Sequence, residues 1–295
     1  MHQLLAEILN VVAPVFICAA LGFTIAKINA PFDRKMIGWI VGNIGYPTLV
    51  LAHLSSGHVA FDQFLAMVGA AVVLIGLLAV IAGVAVFLMG LPVRVFISPM
   101  SLGNVGNIGL PVAALAFGEA GLSYSLAFLT VVLVGMFTFG QWLPQGRISV
   151  AQILTSPVIY AIVLALVLMG TGTALPKPLA STFEILGGLA IPLMLLTLGH
   201  TLATLNITAF TRGAVLALIH LAAVFCAGLG VAALFGFAGL ERSVFIVTAM
   251  MPPSVATYLF VELYAPKWAP DVASLILVGT ILTVLVLPFI LTYVA

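Results

Sequence analysis

Two interrupted hydrophobic stretches constrain this chain more than any other feature. Gly103-Asn104-Val105-Gly106-Asn107-Ile108-Gly109-Leu110-Pro111 breaks one, and Met250-Met251-Pro252-Pro253-Ser254 breaks another. Each sets helix breakers and polar side chains near the middle of a run long enough to cross a bilayer. Non-helical backbone at membrane depth is tolerated only where protein buries it or where it lines a cavity. Two breaks in corresponding positions of two chain halves point to the binding site of a secondary carrier.

Composition places the whole chain in lipid. Hydrophobic residues make up 64% and charged residues 6%, against about 25% charged in soluble domains. With roughly 20 apolar residues per crossing, ten spans are expected: 8–26, 36–54, 64–89, 95–117, 121–142, 152–170, 183–204, 213–236, 243–262 and 272–294. The connections leave no room for a soluble domain. No basic cluster points to nucleic acid, and Cys18 and Cys226 both fall inside spans, which argues against a disulfide framework. No basic region precedes the first apolar run, so span one is expected to be a permanent helix.

Basic residues set the orientation. Lys27, Arg34, Lys35, Arg94, Arg147, Arg212 and Lys267 fall in odd-numbered connections, against Lys177 and Arg242 on the side of the termini. Both termini are therefore expected on the non-cytoplasmic side of the inner membrane. Prolines recur at nearly constant separation: Pro14 with Pro157, Pro47 with Pro192, Pro111 with Pro252, and Pro144 with Pro288. These pairs fall in spans one and six, two and seven, four and nine, five and ten. Five spans per half is an odd number, so the halves would be inverted repeats. The plain alternative is ordinary proline kinks, which membrane helices carry often.

In span four, Pro111 lacks an amide hydrogen, so the Asn107 carbonyl loses its helical partner. Gly103, Gly106 and Gly109 permit close approach and non-helical dihedrals. Asn104 and Asn107 lie three apart, and a half-helix starting near Leu110 would aim its positive end inward, favouring an anion. In span nine, Pro252 and Pro253 free the carbonyls of Thr248 and Ala249, while Ser254 and Thr257 offer hydroxyls. A packing seam and a double-proline kink are the bland readings of the same residues. Asn43, Tyr46, Pro47 and His53 of span two, with Pro192, Gly199 and His200 of span seven, are candidates for an opposing wall. Glu7, Glu184 and Glu262 read as interface residues, and His220 is deep but isolated. No Lys, Arg or Asp falls at a span centre, so an anion would be held by helix ends, amides and hydroxyls.

Gly103 to Pro111, continuing through Phe117-Gly118-Glu119-Ala120-Gly121-Leu122, resembles the fourth-span signature of the auxin efflux carrier family. Met251-Pro252-Pro253 with Val261-Glu262-Leu263-Tyr264 resembles its ninth span, and Ile191-Pro192-Leu193 with Leu198-Gly199 its seventh. The resemblance implies an all-α membrane protein of ten helices in a 5+5 inverted repeat, with crossed discontinuous fourth and ninth helices, similar in fold to bile-acid symporters. It implies a scaffold from 1–60 and 149–208 that often dimerises, and a moving transport domain from 61–148 and 209–295. It also implies a small organic anion as substrate, malonate or another carboxylate in bacterial members and auxin in plants. Asn104 matches the crossover asparagine; Asn107 matches less closely. Ala256 stands where many bacterial relatives have asparagine, and the long cytoplasmic loop of plant members is replaced by 143–151.

The expectation is a carboxylate carrier working by an elevator-like shift. Asn104, Asn107, Gly109, Pro111, Pro252, Pro253, Ser254 and Thr257 would bind substrate, with Asn43, Tyr46 and His53 opposite and half-helix amides after Leu110 and Pro252. No metal or cofactor is expected. The first rival is a sodium-coupled symporter of larger apolar anions. An intramembrane enzyme finds no paired aspartate, no His-Glu-x-x-His and no serine with a base. A channel or receptor would fail to show saturable exchange.

Overall fold

The computed structural model describes residues 2–54, 59–146, 155–205 and 209–294. Among them every extended element is helical, as expected where the backbone must satisfy its own hydrogen bonds. The first part of the chain forms α1 (His2–Lys27), α2 (Arg34–Ile40) and α3 (Tyr46–Leu54), the last two joined by a π-helical turn, Val41–Gly45. Asp33 starts α2, its carboxylate accepting from the Lys35 and Met36 amides at 2.9 and 3.1 Å. Next come α4 (Phe61–Leu88), α5 (Val93–Ser101), a π turn at Val105–Gly109, α6 (Leu110–Gly135), a π turn at Met136–Gly140, and α7 (Gln141–Gln145). The second part holds α8 (Pro157–Thr171), α9 (Lys177–Gly188), α10 (Ala190–Thr204), α11 (Phe210–Leu234), α12 (Gly239–Ala249), α13 (Val255–Tyr264) and α14 (Ala269–Val294).

Among the described residues seven segments are long and apolar enough to cross a membrane alone, where ten spans are expected from sequence. The difference has physical causes. Spans four and nine are cut by their breaks, and α8 is 15 residues long. Val105–Gln145 runs 41 residues, which as one straight helix would extend about 60 Å, twice the hydrocarbon core. It is divided at Gly118, whose φ of 65° and ψ of −156° leave the helical region where the sequence puts the link between spans four and five. The 143–151 link, Arg147, and the boundaries expected at 148/149 and 208/209 fall wholly or partly outside the described residues.

Helix pairs close through small residues, as apolar helices do when hydrophobicity cannot drive them together. A Cβ at Gly22 would strike the Leu196 backbone, and one at Gly199 the Ala19 backbone, so α1 and α10 touch main chain to main chain. Gly187 sets α9 against Leu49 of α3, and Gly213 sets α11 against Ser274 of α14. α3 also packs on α8; α4 packs on α5, α6 and α11; α12 packs on α6 and α11. Val80, Phe87, Leu88, Ile185, Leu285 and Phe289 are 60–78% exposed, an apolar outer surface suited to lipid.

Candidate functional site

The two breaks meet. Leu102 and Asn104 leave α5 while Pro252 to Ser254 leave α12, and the segments run antiparallel with Gly103 opposite Pro253. The Asn104 amide donates to the Pro252 carbonyl at 2.7 Å, and the Ser254 amide donates to the Leu102 carbonyl at 2.9 Å. Composition dictates this pattern. Pro252 and Pro253 have no amide hydrogen and can only accept, so donors come from the asparagine on one side and the serine on the other. Gly103 lets the strands close, and Gly279 of α14 admits the Pro253 ring, which a Cβ would meet at 2.8 Å.

The first half-helix starts earlier than its sequence suggests. Asn104 caps it: its carbonyl accepts from Ile108 at 3.1 Å and Gly109 at 3.4 Å. The π turn follows, with the Leu110 amide reaching back to the Val105 carbonyl. The amides at the helix start therefore belong to Val105, Gly106 and Asn107, not to residues after Leu110. Pro111 lies a turn inside, where its missing amide accompanies the widened turn. Asn104 is 3% exposed, and its Nδ2 has no hydrogen-bond partner among the described residues. Asn107 is half-buried.

Span nine behaves differently. Ser254 is 4% exposed and caps α13, its Oγ accepting from the Ala256 amide at 3.3 Å. The Thr257 hydroxyl is fully buried and donates to the Ser254 carbonyl at 2.6 Å. Thr257 is thus committed to the fold, while the Ser254 hydroxyl hydrogen has no acceptor among the described residues.

The span-two candidates separate. Tyr46 reaches the first break, since a Cβ at Gly106 would collide with its hydroxyl. Asn43 donates from Nδ2 to the Trp39 carbonyl at 2.9 Å and lines a cavity of about 380 Å³ with Gln141, Ser156 and Phe260. His53 lies at the far end of α3, about 10 Å along the helix from Tyr46, with Nδ1 2.8 Å from Glu119 beside the Gly118 bend. The fold does not bring it to the breaks. His200 stacks on Phe32 with ring centroids 4.5 Å apart. Glu184 and Glu262 are exposed, the latter accepting from Tyr258 at 2.8 Å.

The first break has a near copy in span two. Val41-Gly42-Asn43-Ile44-Gly45-Tyr46-Pro47 repeats Val105-Gly106-Asn107-Ile108-Gly109-Leu110-Pro111 with one substitution. Both copies form a π turn whose following residue donates five positions back. The tyrosine of the first copy abuts Gly106, the first glycine of the second.

Comparison with known proteins gives one family match: the family described as membrane transport protein matches residues 142–291, half of the chain, including the second break. No curated protein matches the chain. With its apolar helices and its paired internal breaks, this chain belongs to the membrane transport protein family.

Proposed function

We propose that this protein carries small organic carboxylates, malonate-like or auxin-like, across the inner membrane by alternating access. One observation carries the reading: the Asn104 Nδ2 is a buried donor without an acceptor among the described residues, where the two breaks meet. Leaving such a donor unpaired costs about 1–3 kcal/mol, a cost that a carboxylate oxygen removes. At the same break lie the Val105, Gly106 and Asn107 amides, the positive end of the half-helix that runs to the Gly118 bend, with Ser254 on the segment paired across it. Together they suit an anion held without a salt bridge.

Packing supports a two-body mechanism in which α1–α3 and α8–α10 form a scaffold, and α4–α7 with α11–α14 form the moving transport domain. On this reading the halves are inverted repeats of five spans, and the bonded breaks are the crossing of the fourth and ninth. The contact of Tyr46 with Gly106 lies on the sliding face between scaffold and transport domain. The cavity beside Asn43 opens one turn of helix from that contact, on the side assigned to the cytoplasm, with room for a small acid. The excess of basic residues in odd connections supports termini on the outer side, and dimerisation would proceed through the scaffold.

Counterflow of labelled malonate and other short carboxylates in proteoliposomes tests this. Saturable exchange is expected, reduced at least tenfold in Asn104→Ala. Exchange of no carboxylate, or an Asn104→Ala variant at the wild-type rate, overturns the reading.

A further inference from the structure

His220 lies near the midpoint of α11 and is 3% exposed. Its Nδ1 is 2.9 Å from the Met100 carbonyl. A carbonyl can only accept, so Nδ1 carries the hydrogen and Nε2 of the neutral ring is a lone-pair acceptor. Nε2 has no hydrogen-bond partner among the described residues, although the Met251 backbone carbonyl also lies beside the ring. Two acceptors thus share a buried interior with no donor between them among the described residues.

The breaks explain why those carbonyls are free. In an uninterrupted helix the Asn104 amide would bond the Met100 carbonyl four residues back. Here that amide crosses to the Pro252 carbonyl, and His220 takes the abandoned Met100 oxygen. Met100 and Met251 flank the C-terminal ends of α5 and α12, where helix dipoles present partial negative charge. The pairing of the breaks therefore gathers two kinds of helix end: starts that favour an anion, and ends that favour a cation. Unwound carbonyls and half-helix C-termini are where carriers bind coupling ions, and buried ionisable side chains within spans mark proton paths.

We propose that His220 is a proton-binding site coupling proton movement to substrate movement. The proposal rests on the carboxylate-carrier reading. A proton from water on one face binds Nε2, the imidazolium gains a donor facing the Met251 carbonyl, and the proton leaves from Nε2 on the other face. With a monoanion seated at Asn104, the two charges cross together and no net charge moves; with malonate, mostly a dianion near neutral pH, one negative charge crosses with each proton and substrate pair. Other titratable groups stand apart from the ring. The packed elements offer Asp62 on α4, Arg94 on α5, Glu241 and Arg242 on α12, and Asp271 and Tyr293 on α14. α11 itself carries Arg212 and Cys226. Arg212 pairs with Asp271 at 2.8 Å, about 12 Å along the helix. What acts on the ring is burial and the Met100 and Met251 carbonyls.

The test uses proteoliposomes of the full chain with a trapped pH dye and labelled malonate, read beside empty vesicles. The expected result is about one proton per malonate, and a ratio at least fivefold lower for malonate that still crosses in His220→Gln, whose amide keeps a donor for Met100. An unchanged ratio in His220→Gln, or malonate crossing wild type without protons, overturns the proposal. Absence of malonate movement in wild type counts against the carboxylate reading instead. The proton site is then decided without substrate by ¹⁵N-histidine NMR of the wild-type chain in lipid. The ring is identified by its proximity to a ¹³C-labelled methionine carbonyl. A change from the neutral Nδ1–H form to imidazolium between pH 8 and pH 5 supports the site; a ring neutral throughout sinks it.

Discussion

The two breaks solve one problem with different chemistry. The first opens the helix with glycines and leaves a buried carboxamide donor unpaired among the described residues; the second opens it with prolines, spends the Thr257 hydroxyl hydrogen on the Ser254 carbonyl and uses the Ser254 oxygen as a cap. The prolines supply the rigid edge against which Asn104 and Leu102 pair, and the glycines supply the space. On the proposed reading recognition is therefore lopsided: span four would supply most of the ligand chemistry, and span nine would fix its geometry.

The largest expected effect comes from filling the first break. Gly106→Val should abolish exchange, and Gly106→Ala should lower it at least tenfold, because the new Cβ occupies the place of the Tyr46 hydroxyl. Overpacking of this kind costs about 1–3 kcal/mol. Adding Tyr46→Phe to Gly106→Ala should restore part of the rate, and failure to do so in counterflow would mean that the collision is not the cause.

Next comes the carboxamide. Asn104→Ala should cut exchange efficiency about 10- to 100-fold, matching a hydrogen bond to a charged group of about 1.5–3 kcal/mol. Asn104→Asp should do worse, since its charge repels the substrate; concentration-dependent uptake measures both.

Ser254→Ala should lower exchange only a few-fold and cost about 1 kcal/mol of stability through loss of the cap, read as a lower melting temperature in detergent. Thr257→Val should change exchange less than about twofold, with a stability loss of about 1 kcal/mol for its single hydrogen bond. If Thr257→Val were as damaging as Asn104→Ala, the asymmetry between the breaks would be wrong.

Much of this was legible in the sequence because lipid leaves few options. An apolar run must be a helix, and glycines, prolines and asparagines inside it must open one, so both breaks could be located from residue types alone. What escaped was local. The half-helix begins at Val105, not after Leu110, because Asn104 itself serves as its cap, and proline at a helix's second turn reads much like proline at its first. Thr257 was credited with a free hydroxyl because spacing does not show that the Ser254 carbonyl lies within its reach. His53 shares a helix with Tyr46, but helical rise carries it to the Gly118 bend and Glu119. His220 reads as isolated in the sequence because its partners are backbone carbonyls, which carry no signature in the residue code.

The most direct measurement is dipolar-recoupling NMR between ¹³C-carboxylate malonate and ¹⁵N-asparagine in the lipid-embedded protein, with the Asn104 signal assigned by its loss in Asn104→Ala. A carboxylate carbon within about 4 Å of the Asn104 Nδ2, the reach of one hydrogen bond, is the expected result. Bound malonate with no coupling to that nitrogen would place the substrate elsewhere and contradict it.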